Sequence, residues 1–294
     1  MKILLTGANG MLGGAVREYC TKTDHECIPF NRAGLVAGFP ESAFSIMDSV
    51  DLVIHAAANT DVEACERNPD QCYEDNFLLT ESLAKAAAAR HIKMVYISST
   101  GVYGTAKDLP FCEYDEAKPT THHHRSKLIG EEVTLSFNPR NLVIRTGWIF
   151  GGSFSLRKNF VARRIDEGIA ANNGVIQSNN QQFGNPTYNV DLVERIFELL
   201  NGNFVGIFNC VNEGTASRHQ YVSAIMKIAG IDVVVEPTTA SSFNRLAKVS
   251  NNESATNWKA DRLGLTPMPL WQESLANYIA CNLNNPPNDV VSTE

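Results

Sequence analysis

Two hydrophobic rhythms alternate along the first half of the chain. Short runs that are apolar almost throughout fall at residues 1–6, 26–30, 51–56, 93–98 and 141–145. Between them lie longer stretches, 11–20, 71–90 and 125–136, whose apolar positions recur at helical spacing; Phe77, Leu78, Leu83, Ala84 and Ala87 mark the second. A run without polar alternation suits a strand covered on both faces, and the helical stretches supply the cover. The pattern predicts an α/β fold, a parallel sheet with helices on both sides. Right-handed crossovers make it doubly wound, of the Rossmann kind. After residue 150 the rhythm loosens. Asn- and Gln-rich text at 171–185 precedes a helix at 190–200, a strand at 206–210 and a helix at 217–229. This half is expected to form a smaller C-terminal α/β lobe over residues 151–283, with segments near 188–212 returning to the first unit of residues 1–150. Pro286, Pro287 and their polar neighbours make 284–294 a flexible tail.

Composition narrows the class. With 294 residues, 44% hydrophobic and 19% charged, the chain can bury a sizeable core, which excludes a disordered polymer, a collagen-like fibre and a disulfide-stapled miniprotein. A net charge of −7 argues against nucleic acid or an anionic membrane as partner. Small anions stay open, because a helix N-terminus and a few placed cations can hold a phosphate. The cysteines are odd in number and contain no C-x-x-C pair, so all seven are expected to be reduced thiols of a cytoplasmic protein. No apolar run reaches the roughly 20 residues of a membrane span, and a start directly into a strand predicts no signal peptide.

The first candidate chemistry lies where strand meets helix. Gly7, Gly10 and Gly13 form G-x-x-G-x-x-G, with Asn9, Met11 and Leu12 between and beside them. Glycine at the first position permits the turn, at the second the approach of a pyrophosphate, and at the third close helix packing. The strand before and the helix after make this a dinucleotide loop. At the end of the next strand Asn31 and Arg32 stand where a carboxylate would select NAD; a guanidinium suits a 2′-phosphate, so NADP(H) is favoured over NAD(H).

Further segments extend the pattern. Ala56, Ala57 and Ala58 close the third clear strand, and Tyr96-Ile97-Ser98-Ser99-Thr100-Gly101-Val102-Tyr103-Gly104 closes the fourth. His55 to Glu63, Asn76, Arg145-Thr146-Gly147-Trp148-Ile149-Phe150, Asn159-Phe160-Val161 and Gln182-Phe183-Gly184-Asn185-Pro186-Thr187 follow in order. In these motifs the chain resembles the extended short-chain dehydrogenase/reductases, and within them the dTDP-4-dehydrorhamnose reductase branch, over nearly its whole length to about residue 283. The resemblance implies hydride transfer between a nicotinamide and the keto group of a nucleotide-linked deoxysugar. It implies that Ser99 hydrogen-bonds the reacting carbonyl and that Lys127 holds the nicotinamide ribose. Asn76, Ala57, Ala58 and Ser98 fall at cofactor positions, and a nucleotide sugar is the implied partner, with a homodimer as a further one.

One position departs from that pattern. The resemblance places tyrosine, the general acid, four residues before Lys127, and this chain has His123 in the run His122-His123-His124. Spacing i to i+4 keeps His123 on the Lys127 face, and imidazole can donate a proton near neutral pH. Three readings stay open: His123 as the acid, a cofactor-binding regulatory or scaffold subunit with impaired turnover, and a variant residue. An epimerase using the same loop is a further alternative. Consecutive helical residues diverge by about 100°, so the three histidines do not converge on a metal. For substrate, Thr60, Val62, Trp148, Asn159 and Arg218 are expected at the C-terminal ends of the strands.

Overall fold

The computed structural model describes residues 1–30, 45–105, 107–156, 158–172, 174–239 and 245–284. Asn31, Arg32 and the tail from residue 285 lie outside the described residues. The first half supplies β1 (Lys2–Thr6), β2 (Glu26–Phe30), β3 (Leu52–His55), β4 (Lys93–Ser99) and β5 (Leu142–Thr146). Short strands follow: β6 (Ile149–Phe150), β7 (Val175–Asn179), β8 (Phe183–Gly184) and β9 (Thr187–Tyr188). Last come β10 (Gly206–Asn209), β11 (Ala216–Ser217) and β12 (Val234–Thr238).

Six strands form one parallel sheet in the order β10-β5-β4-β3-β1-β2. Pro29 sits in β2 at the sheet edge, where its missing N–H costs no ladder bond. The strands alternate which face each buried side chain covers. Ile3, Leu5, Ile54, Val95, Ile97 and Ile144 pack on one side against Leu12 and Val16 of the helix Met11–Thr21 and Ile196 and Phe197 of the helix Asn189–Asn201. Their neighbours Leu4, Val53, Met94, Tyr96 and Val143 pack on the other against Leu83, Ala84 and Ala87 of the helix Leu79–Ala88. Burial of both faces is why these runs show no polar alternation. Winding reverses beside β1, whose two neighbours are β2 and β3, and a ligand crevice belongs at the carboxyl ends there.

A third core, around Phe150, Val161, Ile165, Tyr221, Ile225, Trp271 and Tyr278, builds the second lobe. Its helices Phe160–Ala171 and Trp271–Asn284 were not anticipated. Two more elements differ from expectation. The helix expected at 71–90 is helix Pro69–Tyr73, a wide turn Glu74–Leu78 with π-type bonding, and helix Leu79–Ala88. That turn buries Asn76, whose carbonyl accepts from Thr80 Oγ1 at 2.5 Å. The helix expected from residue 125 begins at His122, because Thr121 caps it: its Oγ1 accepts from the His124 amide at 3.2 Å. All three histidines therefore belong to its first turn.

The expectation of seven free thiols also needs correction. Cys65 and Cys72 form a disulfide, their Cα atoms 5.0 Å apart. Helix Val62–Arg67 ends at Asn68, which caps the helix Pro69–Tyr73, and this break folds the two buried cysteines together. Cys20, Cys27, Cys112 and Cys210 stay outside this disulfide.

Candidate active site

A cleft of about 1320 Å³ runs from the glycine loop across the ends of β1, β3, β4 and β5 into the second lobe. At its closed end the backbone is shaped by what glycine lacks. Gly7 has φ of +68°, and a Cβ there would lie 2.8 Å from the backbone of Ala56 and Ala57. A Cβ on Gly13 would overlap the Gly7 carbonyl. The helix that follows starts at Gly10 with no side-chain cap and no acidic residue in its first turn, so its positive end is left for an anion. Gly7, Asn9, Gly10, Met11, Leu12, Gly13, Ala57 and Ala58 all line this end. The cradle fits a dinucleotide pyrophosphate. Gly13→Ala should weaken NADPH binding by about tenfold or more, since a backbone overlap of this kind costs roughly 1–3 kcal/mol; calorimetric titration measures it.

Behind the loop a chain of donors fixes the crevice floor. The Ala57 amide donates to Thr6 Oγ1 at 3.1 Å, and Thr6 Oγ1 lies 2.6 Å from His55 Nδ1. His55 Nε2 reaches Thr80 Oγ1 at 3.0 Å. With the imidazole proton on Nε2, every link has one donor and one acceptor. Burial, then the charge of Lys127, push the His55 pKa down to about 3, so the ring stays neutral. His55 is structural.

Asn76 stands behind the lining instead of on it. Its Nδ2 donates to Ser126 Oγ at 3.0 Å, and its Oδ1 accepts from the Asn59 amide at 2.7 Å, tying the loop after β3 to the helix His122–Phe137. Ser98 borders the cleft, but its hydroxyl donates to Glu131 Oε1 at 2.5 Å. Glu131 in turn accepts from Arg145 Nε and Nη2, the latter at 2.6 Å. This buried pair was missed in the sequence.

Ser99 and Lys127 face the cleft together. Ser99 Oγ accepts from the Gly101 amide at 3.1 Å, which leaves its proton to donate. Lys127 is 4% exposed, its Nζ 4.2 Å from the centre of the Tyr96 ring. Burial pulls its pKa down to about 7 against the opposing pull of Glu131. His123 also lines the cleft, but its Nδ1 is buried with no partner. Burial, then His124 and Lys127, hold its pKa at about 2. A cationic His123 would need an acceptor for Nδ1–H, so the ring offers one neutral N–H.

The second lobe contributes the opposite wall. Trp148 adopts φ of +46°, costly for an aromatic residue, and is held there from three sides. Gly184 leaves room for its ring, the Arg218 guanidinium lies 3.4 Å from the ring centre, and Nε1 donates to Glu253 Oε2 at 2.9 Å. Thr60, Val62, Trp148 and Arg218 line the cleft. Asn159 does not, which corrects that expectation. It caps the helix Phe160–Ala171, accepting from the Ala162 amide at 3.1 Å, while its Nδ2 donates to Tyr278 Oη at 2.6 Å. Lys158, Arg163, Arg164 and Arg245 join Arg218 in the lining, where Glu167, paired with Arg164, and Glu253 also stand, so cations outnumber carboxylates on this wall. Scattered single cations had given no sequence signal for most of it. Tyr103 and Tyr114 supply no phenol here. Tyr103 is buried with Oη on Asn209 Oδ1, and Tyr114 is exposed against Trp258.

Sheet order, glycine cradle and the Ser99–Lys127 face define an extended short-chain dehydrogenase/reductase. The chain belongs to the family described as RmlD substrate binding domain, whose model matches residues 1–283. It is 30% identical to a dTDP-4-dehydrorhamnose reductase of Mycobacterium tuberculosis, over 97% of this chain and 94% of that protein. A dTDP-4-dehydrorhamnose reductase structure from Clostridium acetobutylicum superposes with a TM-score of 0.91 at 30% identity, covering 96% of this chain and all of that one. Another, from Bacillus anthracis in complex with NADP, gives 0.89 at 25% identity and covers 95% of this chain and 98% of that one. Among the described residues no helix is long and apolar enough to cross a membrane.

Proposed function

We propose that this chain reduces the keto group of a 4-keto-deoxysugar nucleotide with NADPH, as the name of its relatives describes for dTDP-4-dehydrorhamnose. The observation that carries the reading is one continuous cleft that joins the glycine cradle, the Ser99–Lys127 face and the five-cation wall. The amides after Gly10 would hold the pyrophosphate of a dinucleotide and Lys127 its nicotinamide ribose. Bound there, the reduced nicotinamide supplies a hydride. The sugar nucleotide enters from the second lobe, its diphosphate facing the cations and its base or sugar against Trp148. Ser99 Oγ–H donates to the keto oxygen and polarises the carbonyl. The NADP(H) preference rests on Arg32 in the sequence and on the NADP bound to the Bacillus anthracis relative. A cytoplasmic setting suits such a cofactor.

The test is oxidation of NADPH by the purified protein with dTDP-4-dehydrorhamnose, the product read by mass spectrometry as a gain of two hydrogens. Turnover with NADPH faster than with NADH is expected. Tight NADPH binding without oxidation across a panel of keto-sugar nucleotides would overturn the reductase and leave the regulatory-subunit reading.

A further inference from the structure

Reduction of a carbonyl needs a proton as well as a hydride, and the ring of His123, with no acceptor for Nδ1–H, is poorly suited to carry the charge that giving one requires. Its neighbour is better placed. His124 lies against the turn that presents Ser99: a Cβ on Gly101 would overlap its Nε2, and the Gly101 amide is the donor to Ser99 Oγ. On its far side Nδ1 sits 3.1 Å from Thr121 Oγ1. A hydroxyl can accept from Nδ1–H or donate to a bare Nδ1, so this contact accommodates both the charged and the neutral ring. Nε2 points toward Glu253, with Oε1 at 3.9 Å. Glu253 is fixed independently, by Trp148 on its second oxygen and by its own amide, which donates to the Phe183 carbonyl at 2.9 Å. At 3.9 Å the carboxylate makes no hydrogen bond with Nε2, so it favours the charged ring through space while Thr121 holds Nδ1 and the Nε2 proton is left to the cleft.

We propose that His124, held by Thr121 through Nδ1, delivers the proton to the substrate oxygen, and that the charge of Glu253 beside Nε2 favours the protonated ring. The inference rests on the reductase reading above. As the carbonyl carbon accepts the hydride of the reduced nicotinamide, the C=O π pair moves onto oxygen, and that oxygen takes the proton from His124 Nε2. The products are the alcohol, the oxidised nicotinamide and a neutral imidazole, which regains a proton from solvent through the cleft. His123 faces the ring from its own helix, Glu66 from the helix Val62–Arg67, and Glu253 from the second lobe. Burial is the larger influence and leaves the His124 pKa below that of a free imidazole, with Glu253 and then Glu66 pulling it back up in part. The rate should therefore fall as pH rises through the His124 titration.

His124→Gln, His123→Gln and Glu253→Gln, each checked for NADPH affinity as evidence of a folded cleft, separate the possibilities. His124→Gln should lower kcat by about a hundredfold and abolish the alkaline limb assigned to the ring. His123→Gln should lose far less. Glu253→Gln should move that limb to lower pH, and NMR titration of the imidazole carbons in the NADPH-free protein should show the same shift without any turnover. Wild-type kcat and pH profile in His124→Gln, or an unmoved His124 titration in Glu253→Gln, would overturn the inference alone. Absence of turnover in wild-type protein that binds NADPH would overturn the reductase reading and this step together.

Discussion

Lys127→Met should abolish most of the turnover and yet make the protein more stable at neutral and acidic pH. The side chain is 4% exposed, and its pKa falls from 10.5 in the unfolded chain to about 7 on folding, chiefly through burial. Between those values the unfolded chain holds a proton that the folded one has shed. Raising pH through that window therefore favours the folded state. Below pH 7 both states carry the charge, and the folded protein bears the whole cost of a buried ammonium. Methionine keeps the stem and removes that cost, a gain on the order of a few kcal/mol. Loss of the cation–π contact with Tyr96, about 1–2 kcal/mol, takes part of it back. The melting-temperature difference between variant and wild type should be largest below pH 7 and vanish toward pH 10.5. Activity runs the other way. With the ammonium on the ribose, as proposed, wild-type NADPH affinity should weaken as pH rises through about 7, while the variant is weak and flat. A melting temperature that falls at every pH, or a wild-type affinity indifferent to pH, would refute this account.

The sheet was legible because its strands are buried on both faces, which writes each one as an unbroken apolar run. The glycine loop was legible because Gly7 and Gly13 meet backbone where any Cβ would sit, a constraint that forces residue type. The second lobe hid for the opposite reason. Strands β6, β8 and β9 are two residues long, too short to show a period. Asn159 was read as a cleft residue, although Asn immediately before Phe160-Val161-Ala162 is also a capping signal, and capping is what it does. His124 and Glu253 meet only because the second lobe folds back over the helix His122–Phe137, and no local pattern encodes such a contact. Cys65 and Cys72 fall in the same class. Their pairing depends on a break at Asn68, inside what local spacing does not distinguish from loop.

Arg145→Met should cost far more stability than removing both members of its ion pair. Glu131 and Arg145 side chains are 2% and 5% exposed and meet through Arg145 Nε and Nη2. Taking away the guanidinium strands a carboxylate with Ser98 Oγ and the Lys127 charge for company. Breaking a buried pair this way costs roughly 3–5 kcal/mol, or on the order of 10 °C in melting temperature for a chain this long. The double variant Glu131→Leu/Arg145→Met replaces both charges with apolar volume and should recover most of that loss, since no uncompensated ion remains. Recovery of fold should not restore the site. Glu131 is the group that raises the Lys127 pKa against burial, so its removal lets the lysine shed its proton at lower pH. In the double variant the pH dependence of NADPH affinity should therefore shift to the acid side of wild type while the melting temperature returns. Equal stability of the single and double variants would show that the pair is not the buried charge it is taken to be. An unshifted affinity profile would show that Glu131 supports the sheet ends alone and leaves Lys127 untouched.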